Sequence, residues 1–118
     1  MEAPLVKADP VLQKFAAAHR LKLSKNYHNE PERSLTWDTG IRRLIQLYLQ
    51  DPKTLTLNLW LCASQDLGGS RFWRREFLVK DQRLDDFFDQ LPALLEEGYA
   101  RVNSWTGDTL EFGTKLRM

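Results

Sequence analysis

The stretch from Thr54 to Ser64 constrains the fold of this chain more than any other, because aliphatic and polar residues alternate along it. Successive side chains of a strand point to opposite faces, so this period of two predicts a strand with one covered face. A half-covered strand is typical of an antiparallel sheet that packs on a core from one side, and we call the opposite side the outer face. The covered face would carry Leu55, Leu57, Leu59, Leu61 and Ala63. The outer face would carry Thr54, Thr56, Asn58, Trp60, Cys62 and Ser64.

Three further stretches alternate in the same way and are separated by residues that favour turns. Asp38-Thr39-Gly40 and Asp51-Pro52-Lys53 supply short connections, which favour antiparallel pairing of consecutive strands. A short extended piece at Leu21–Leu23 and a last strand within Thr109–Leu116 could extend the sheet. The predicted main strands are Arg33–Trp37, Ile41–Leu49, Thr54–Ser64 and Arg71–Lys80.

One helix is predicted before the strands in the sequence and a second helix after them. The first would begin with Asp9 as its N-cap and Pro10 at its first position, and would run to His19 or Arg20. The second would begin near Asp81 and carry an apolar stripe at helical spacing. Pro92 is expected to kink or split it, because proline lacks an N–H and clashes with the preceding turn. The sequence therefore predicts an α+β fold: an antiparallel four- to five-stranded meander packed on one face by an N-terminal helix and a longer C-terminal helix.

Size and composition indicate one cytoplasmic domain. A length of 118 residues is that of a single domain with its own core. Cys62 is the only cysteine, which excludes an internal disulfide and suits a reducing compartment. No apolar run reaches the roughly 20 residues of a membrane span, and the stretch Met1–Lys7 lacks the pattern of a signal peptide. We therefore expect no membrane partner.

Aromatic and basic residues gather on the predicted outer face. Trp60 and Tyr48 leave the core side of their strands by pattern, and Arg42 and Arg74 do the same. Such a patch can bind another protein, because tryptophan, tyrosine and arginine dominate binding hot spots. It can also stack the bases and neutralise the phosphates of a single-stranded nucleic acid. A third interpretation is that the loop Leu21–Glu32, or a C-terminal strand, covers Trp60 and Tyr48.

Acidic residues cluster on the second predicted helix, directly after a basic strand. Asp85, Asp86 and Asp89 belong to this cluster, which makes the helix face a second candidate binding surface. Segregated charge steers partners of opposite charge. The helix macrodipole offers a purely structural explanation for the acids nearest the N-terminus of the helix.

Motifs for catalysis, metals or cofactors are not recognisable. His19, His28 and Cys62 do not have the spacing of metal ligands, and no phosphate-binding loop is present, so we predict no cofactor and no metal. Carboxylates near turns could still converge with His28 into an acid–base site, a possibility that spacing cannot test. The carboxylates concerned are Asp38, Asp66 and Asp108.

The predicted function is therefore non-enzymatic protein binding through the outer face or the acidic helix face. The layout of elements and the size resemble those of small bacterial interaction proteins, and this resemblance implies a toxin-neutralising (immunity) or adaptor role. Single-stranded nucleic-acid binding is the first alternative, and a small enzyme is the second. A homodimer formed through the outer face would use the same patch without another partner.

Overall fold

The computed structural model describes residues 3–26, 31–51, 53–65, 70–80, 83–107 and 115–117. These residues form two helices, α1 (Ala3–His19) and α2 (Leu84–Ser104). The strands are β1 (Lys22–Lys25), β2 (Glu32–Asp38), β3 (Arg42–Asp51), β4 (Thr56–Ser64), β5 (Ser70–Leu78) and β6 (Lys115–Arg117). Within this part of the chain, neither helix is both long and apolar enough to cross a membrane.

The strands form one sheet in the order of the sequence, from β1 to β6. Each of the first four strands pairs antiparallel with the next, whereas β6 follows α2 and pairs parallel with β5. The predicted α+β meander with an N-terminal and a longer C-terminal helix is thereby confirmed. The extended piece expected near Leu21–Leu23 corresponds to β1. The last strand predicted within Thr109–Leu116 is described only from Lys115, because residues 109–114 lie outside the described part.

The core lies between the two helices and one face of the sheet. Leu57, Leu59 and Leu61 of β4 are almost completely buried there, as the alternating pattern predicts. Leu91 and Leu95 of α2 belong to the same buried cluster. Complete burial of a leucine side chain contributes roughly 1.5–3 kcal/mol, so this aliphatic face anchors the fold. Leu55 is an exception to the predicted strand, because its φ of 51° belongs to the turn before β4.

The first helix begins earlier than the sequence predicts. Asp9 is not its N-cap, since α1 already starts at Ala3 and contains Pro10 in its interior. The reason is tertiary: Leu5 and Ala8 are fully buried, and their packing outweighs the hydrogen bond that Pro10 removes.

Asp9 instead pairs with Arg33, which projects from β2 on the covered side of the sheet. Arg33 Nε donates to Asp9 Oδ1 at 2.6 Å, and the two side chains are 2% and 12% exposed. The guanidinium also donates to Asn26 Oδ1 at 2.8 Å and to the carbonyl oxygen of Glu32 at 2.9 Å. This buried network fixes α1 on β2.

The second helix is continuous from Leu84 to Ser104, so Pro92 does not split it. Pro92 is exposed, while Leu91 and Leu95 on either side are fully buried and hold the helix on the sheet. Gly98 allows close contact with β4, because a Cβ there would lie 2.9 Å from Leu61 Cδ2.

Arg43 of β3 holds the C-terminal end of α2. Its buried guanidinium donates to the carbonyl oxygens of Val102 at 2.5 Å and Trp105 at 3.0 Å, and its Nε donates to Thr39 Oγ1 at 2.9 Å. A cation at this position satisfies carbonyl groups that the helix leaves unpaired and interacts favourably with its dipole. Burial lowers the pKa of Arg43, an effect that the charge of Tyr99 opposes.

Candidate functional site

The strand register arranges the outer face in rows that run across the sheet. Gln46, Trp60 and Arg74 are direct neighbours in one row on β3, β4 and β5. The next row towards the Ser64 end of β4 contains Leu44, Cys62 and Phe72. The next row in the other direction contains Glu32, Tyr48, Asn58 and Glu76.

The half of the outer face around Asn58 is closed. Asn58, Glu32 and Ser34 are buried although they do not point to the core. Gln46 donates through Nε2 to Glu32 Oε2 at 2.5 Å and to Ser34 Oγ at 3.3 Å, and the Asn58 amide donates to Gln50. The expectation of an outer face open throughout is therefore too simple, because Asn58, Glu32 and Ser34 are buried there.

The other half of the outer face carries a groove of about 510 Å³. Leu44 and Cys62 contribute to its lining from neighbouring positions on β3 and β4. Phe72 follows Cys62 in the same row, and its ring packs edge-on against Trp60 at a centroid distance of 5.3 Å. We call the row of Leu44, Cys62 and Phe72, together with Trp60 from the adjacent row, the apolar row. The remaining groove residues include Lys22, Thr36, Asp38, Arg42 and Ser64.

The four residues predicted for this face do not form one cluster. Trp60 and Arg74 are brought together as direct neighbours, and both are half-buried. Tyr48 is half-buried and lies one row away from Trp60, beside the closed half. Arg42 is exposed and lies two rows away from Trp60 in the opposite direction, where it lines the groove.

Leu44, Cys62 and Phe72 lie on the outer face beside Trp60 but were not among the predicted site residues. The alternation of β3 and β5 already places Leu44 and Phe72 opposite to the core positions. This signal is weak, because leucine and phenylalanine in a strand are normally core residues.

Cys62 has the environment of a structural thiol. It is half-buried, and burial raises its pKa, while a hydrogen bond with Trp60 acts in the opposite direction. A raised pKa leaves little thiolate near neutral pH, which is the reverse of what a nucleophilic cysteine needs.

The charges around the apolar row are mixed in sign. Arg74 Nη2 lies 4.0 Å from Glu76 Oε2, and both belong to the outer face of β5. Asp38 is the register partner of Arg42 across β2 and β3. The surface is thus not a basic field, although two of its predicted residues are arginines.

The predicted acidic residues lie on a different surface. Asp85, Asp86 and Asp89 are exposed on α2, which covers the opposite side of the sheet from the apolar row. Asp85 and Asp86 are in the first turn, where the helix dipole favours them. Asp86 and Asp89 also line a second groove, between α2 and the end of β5.

The acid–base site considered from sequence cannot be followed, because His28, Asp66 and Asp108 lie outside the described residues. Among the residues that are described, no three histidine, cysteine or carboxylate side chains gather as metal ligands would. His19 has a structural role between the helices: its Nε2 lies 3.0 Å from Glu96 Oε1, and its ring packs 4.4 Å from that of Tyr99.

Comparison with known proteins does not add a family. No protein-family model matches the chain, and neither a curated protein nor a solved structure is similar to it.

Proposed function

We propose that this protein is a non-enzymatic binding module that recognises another protein through the apolar row and its groove. The observation that carries the proposal is the continuity of Trp60, Phe72, Cys62 and Leu44 on a sheet face that neither helix covers. An outer face that contacts only water would carry polar residues at these positions. Contiguous apolar surface rimmed by polar groups is typical of protein interaction sites.

A protein partner fits this surface better than a nucleic acid. Phosphate binding needs a field of uncompensated basic charge, whereas Glu76 lies beside Arg74 and Asp38 lies opposite Arg42. The formal net charge of the whole chain is only +1. Mixed charges around an aromatic centre are instead the usual arrangement of a protein interface, whose rim is polar.

A toxin-neutralising or adaptor role is the concrete form of this proposal. In either role, the apolar row would cover a functional surface of the partner, and the groove would accept one of its side chains. We place this activity in the cytoplasm, since the single half-buried Cys62 suits a reducing compartment.

The test is capture of partners from lysate of the source organism on immobilised protein, with and without nuclease treatment. The variants are Trp60→Ala, which removes the aromatic centre, and Arg42→Glu, which changes an exposed groove residue and spares the core. Val6→Ala is the matched control, because Val6 is exposed on α1 and lies outside the groove. Circular dichroism verifies that each variant is folded.

The proposal predicts a nuclease-resistant protein that binds the native chain and Val6→Ala but is lost with Trp60→Ala and weakened with Arg42→Glu. Material that disappears after nuclease treatment would favour the nucleic-acid alternative. Concentration-dependent dimer mass that Trp60→Ala abolishes, measured by light scattering, would identify a second copy of the chain as the partner. A partner that binds all variants equally would contradict the use of this face.

A further inference from the structure

In the part of the chain that the structure describes, no strand pairs with the end of β5 on the side away from β4. Among the described residues, β6 pairs only with Phe72, Trp73 and Arg74 of β5. The amide of Val79 donates to the carbonyl oxygen of Leu55 at 3.0 Å, on the side of β4. Because backbone groups alternate in direction along a strand, those of Glu76 and Leu78 point away from β4. An edge of this kind can pair with an extended segment of another chain.

A groove of about 520 Å³ lies beside this edge, between the end of β5 and the first half of α2. Phe77 and Phe87 contribute apolar surface, and their rings pack 5.1 Å apart. Three carboxylates line the groove together with one cation, Arg83. The carboxylates are those of Glu76, Asp86 and Asp89. Leu78, on the outer face of the same strand end, is 65% exposed.

We propose that this edge binds an extended segment of a partner protein in which basic and apolar residues alternate. The added strand would lie on the same edge of β5 as β6, past the end of β6. It would pair with the backbone of Glu76 and Leu78. Its side chains would then alternate between the two sides of the sheet. Those on the helix side would enter the groove, and those on the outer side would pack on Leu78.

The groove selects lysine or arginine for the helix side. Their aliphatic stems can lie along the ring of Phe87, beside the ring of Phe77 that the guanidinium of Arg75 covers at 5.1 Å, while their charged ends reach Asp86 and Asp89. Asp86 and Asp89 outnumber Arg83 in the lining, even without Glu76, which lies 4.0 Å from Arg74. An acidic segment would meet repulsion at the same place. This surface is separate from the groove on the outer face and does not depend on the function proposed above.

The test uses a synthetic peptide of eight residues in which lysine alternates with valine and threonine. Binding to the whole protein is measured by fluorescence anisotropy, and the bound position is mapped by amide chemical shifts. Two further peptides serve as controls, one with glutamate in place of lysine and one with methylated backbone nitrogens at alternate positions. The methylated peptide keeps every side chain and loses only the ability to pair as a strand.

The expected result is that the lysine peptide binds and shifts the amides of Glu76 and Leu78. The glutamate and methylated peptides should bind much more weakly. The double variant Asp86→Asn with Asp89→Asn should weaken binding about fivefold, as the loss of two exposed ion pairs predicts. Asp85→Asn is the matched control, because Asp85 is exposed on the same helix turn and does not line the groove.

Other outcomes would overturn the proposal. Equal binding of the lysine and methylated peptides would exclude strand pairing, and equal loss with Asp85→Asn would reduce the effect to general charge. Shifts confined to the apolar row, or loss of binding in Trp60→Ala, would move the peptide to the outer face. Absence of binding by the lysine peptide, or occupation of the edge by a second copy of the chain, would equally refute it.

Discussion

Asp9→Asn separates two explanations of the role of Asp9, because they predict different losses of stability. If Asp9 were the N-cap of α1, asparagine would replace it with almost no loss of stability, because both residues are equally good N-caps. The structure instead places Asp9 in the interior of α1, 2.6 Å from Arg33 Nε. Removing its charge would take away the carboxylate that Arg33, which is 2% exposed, contacts at 2.6 Å.

The expected size of the effect follows from this burial. Breaking a buried ion pair by removing one partner costs about 3–5 kcal/mol. Arg33 keeps acceptors on Asn26 and Glu32, and the substituted amide still offers an oxygen. We therefore expect Asp9→Asn to lower the free energy of unfolding by about 2–3 kcal/mol, near the value of a hydrogen bond to a charged group. For a chain of this length, that corresponds to a fall in Tm of roughly 10 °C.

The measurement is urea unfolding of a double-mutant cycle with Arg33→Met, followed by circular dichroism. Once Arg33 is replaced, Asp9→Asn should cost much less, because Asp9 then keeps only its contact with the half-exposed Lys25 at 3.4 Å. Glu76→Gln is the control, since it removes an exposed contact of 4.0 Å with Arg74 and should change stability by at most about 0.5 kcal/mol. A change below about 0.5 kcal/mol for Asp9→Asn, or an equal cost with and without Arg33, would refute the reasoning.

Three further predictions concern the core, the end of α2 and the thiol. Gly98→Ala gains about 1 kcal/mol of helix propensity but places a methyl group against Leu61, which should cost about 1–3 kcal/mol, so urea unfolding should show a net loss. In a Leu61→Ala background the same substitution should stabilise, and a loss there would exclude the clash. Arg43→Met should lower stability by about 2–3 kcal/mol and accelerate amide hydrogen exchange in the last turn of α2, because two carbonyl groups lose their donor; unchanged exchange would contradict this. Since burial raises the pKa of Cys62, folded protein at pH 8 should react with iodoacetamide at least about tenfold more slowly than unfolded protein. The contribution of this raised pKa to stability is complete below the unfolded value of about 8.5 and declines as the pH rises through the folded pKa, a decline that Cys62→Ala should remove.

The meander was predictable because its information is local. Alternation at Leu57, Leu59 and Leu61 defines a covered face within one strand, and turn residues separate that strand from its neighbours. The side of each residue on β3 to β5 follows from the same period of two. Leu44 and Phe72 were therefore recoverable in principle as members of the outer face.

The limits of α1 and the state of the outer face depend on distant residues. Leu5 and Ala8 extend the helix because other elements bury them, which a local capping rule cannot include. Arg33 is 24 residues from Asp9 in sequence, so their ion pair has no local signature. In the closed half of the outer face, the hydrogen bond from Gln46 to Glu32 likewise joins two neighbouring strands.

The packing of α1 on α2 affects the order in which the chain can fold during synthesis. Each hairpin from β1 to β5 can form soon after its second strand is made, because its contacts are close in sequence. The first helix is made before all of them, yet one of its packing partners is α2, which begins only at Leu84. The buried face of α1, which includes Leu5, Leu12 and Phe15, therefore stays partly uncovered until α2 has been translated. In the nascent chain, this face is exposed apolar surface of the kind that chaperones protect.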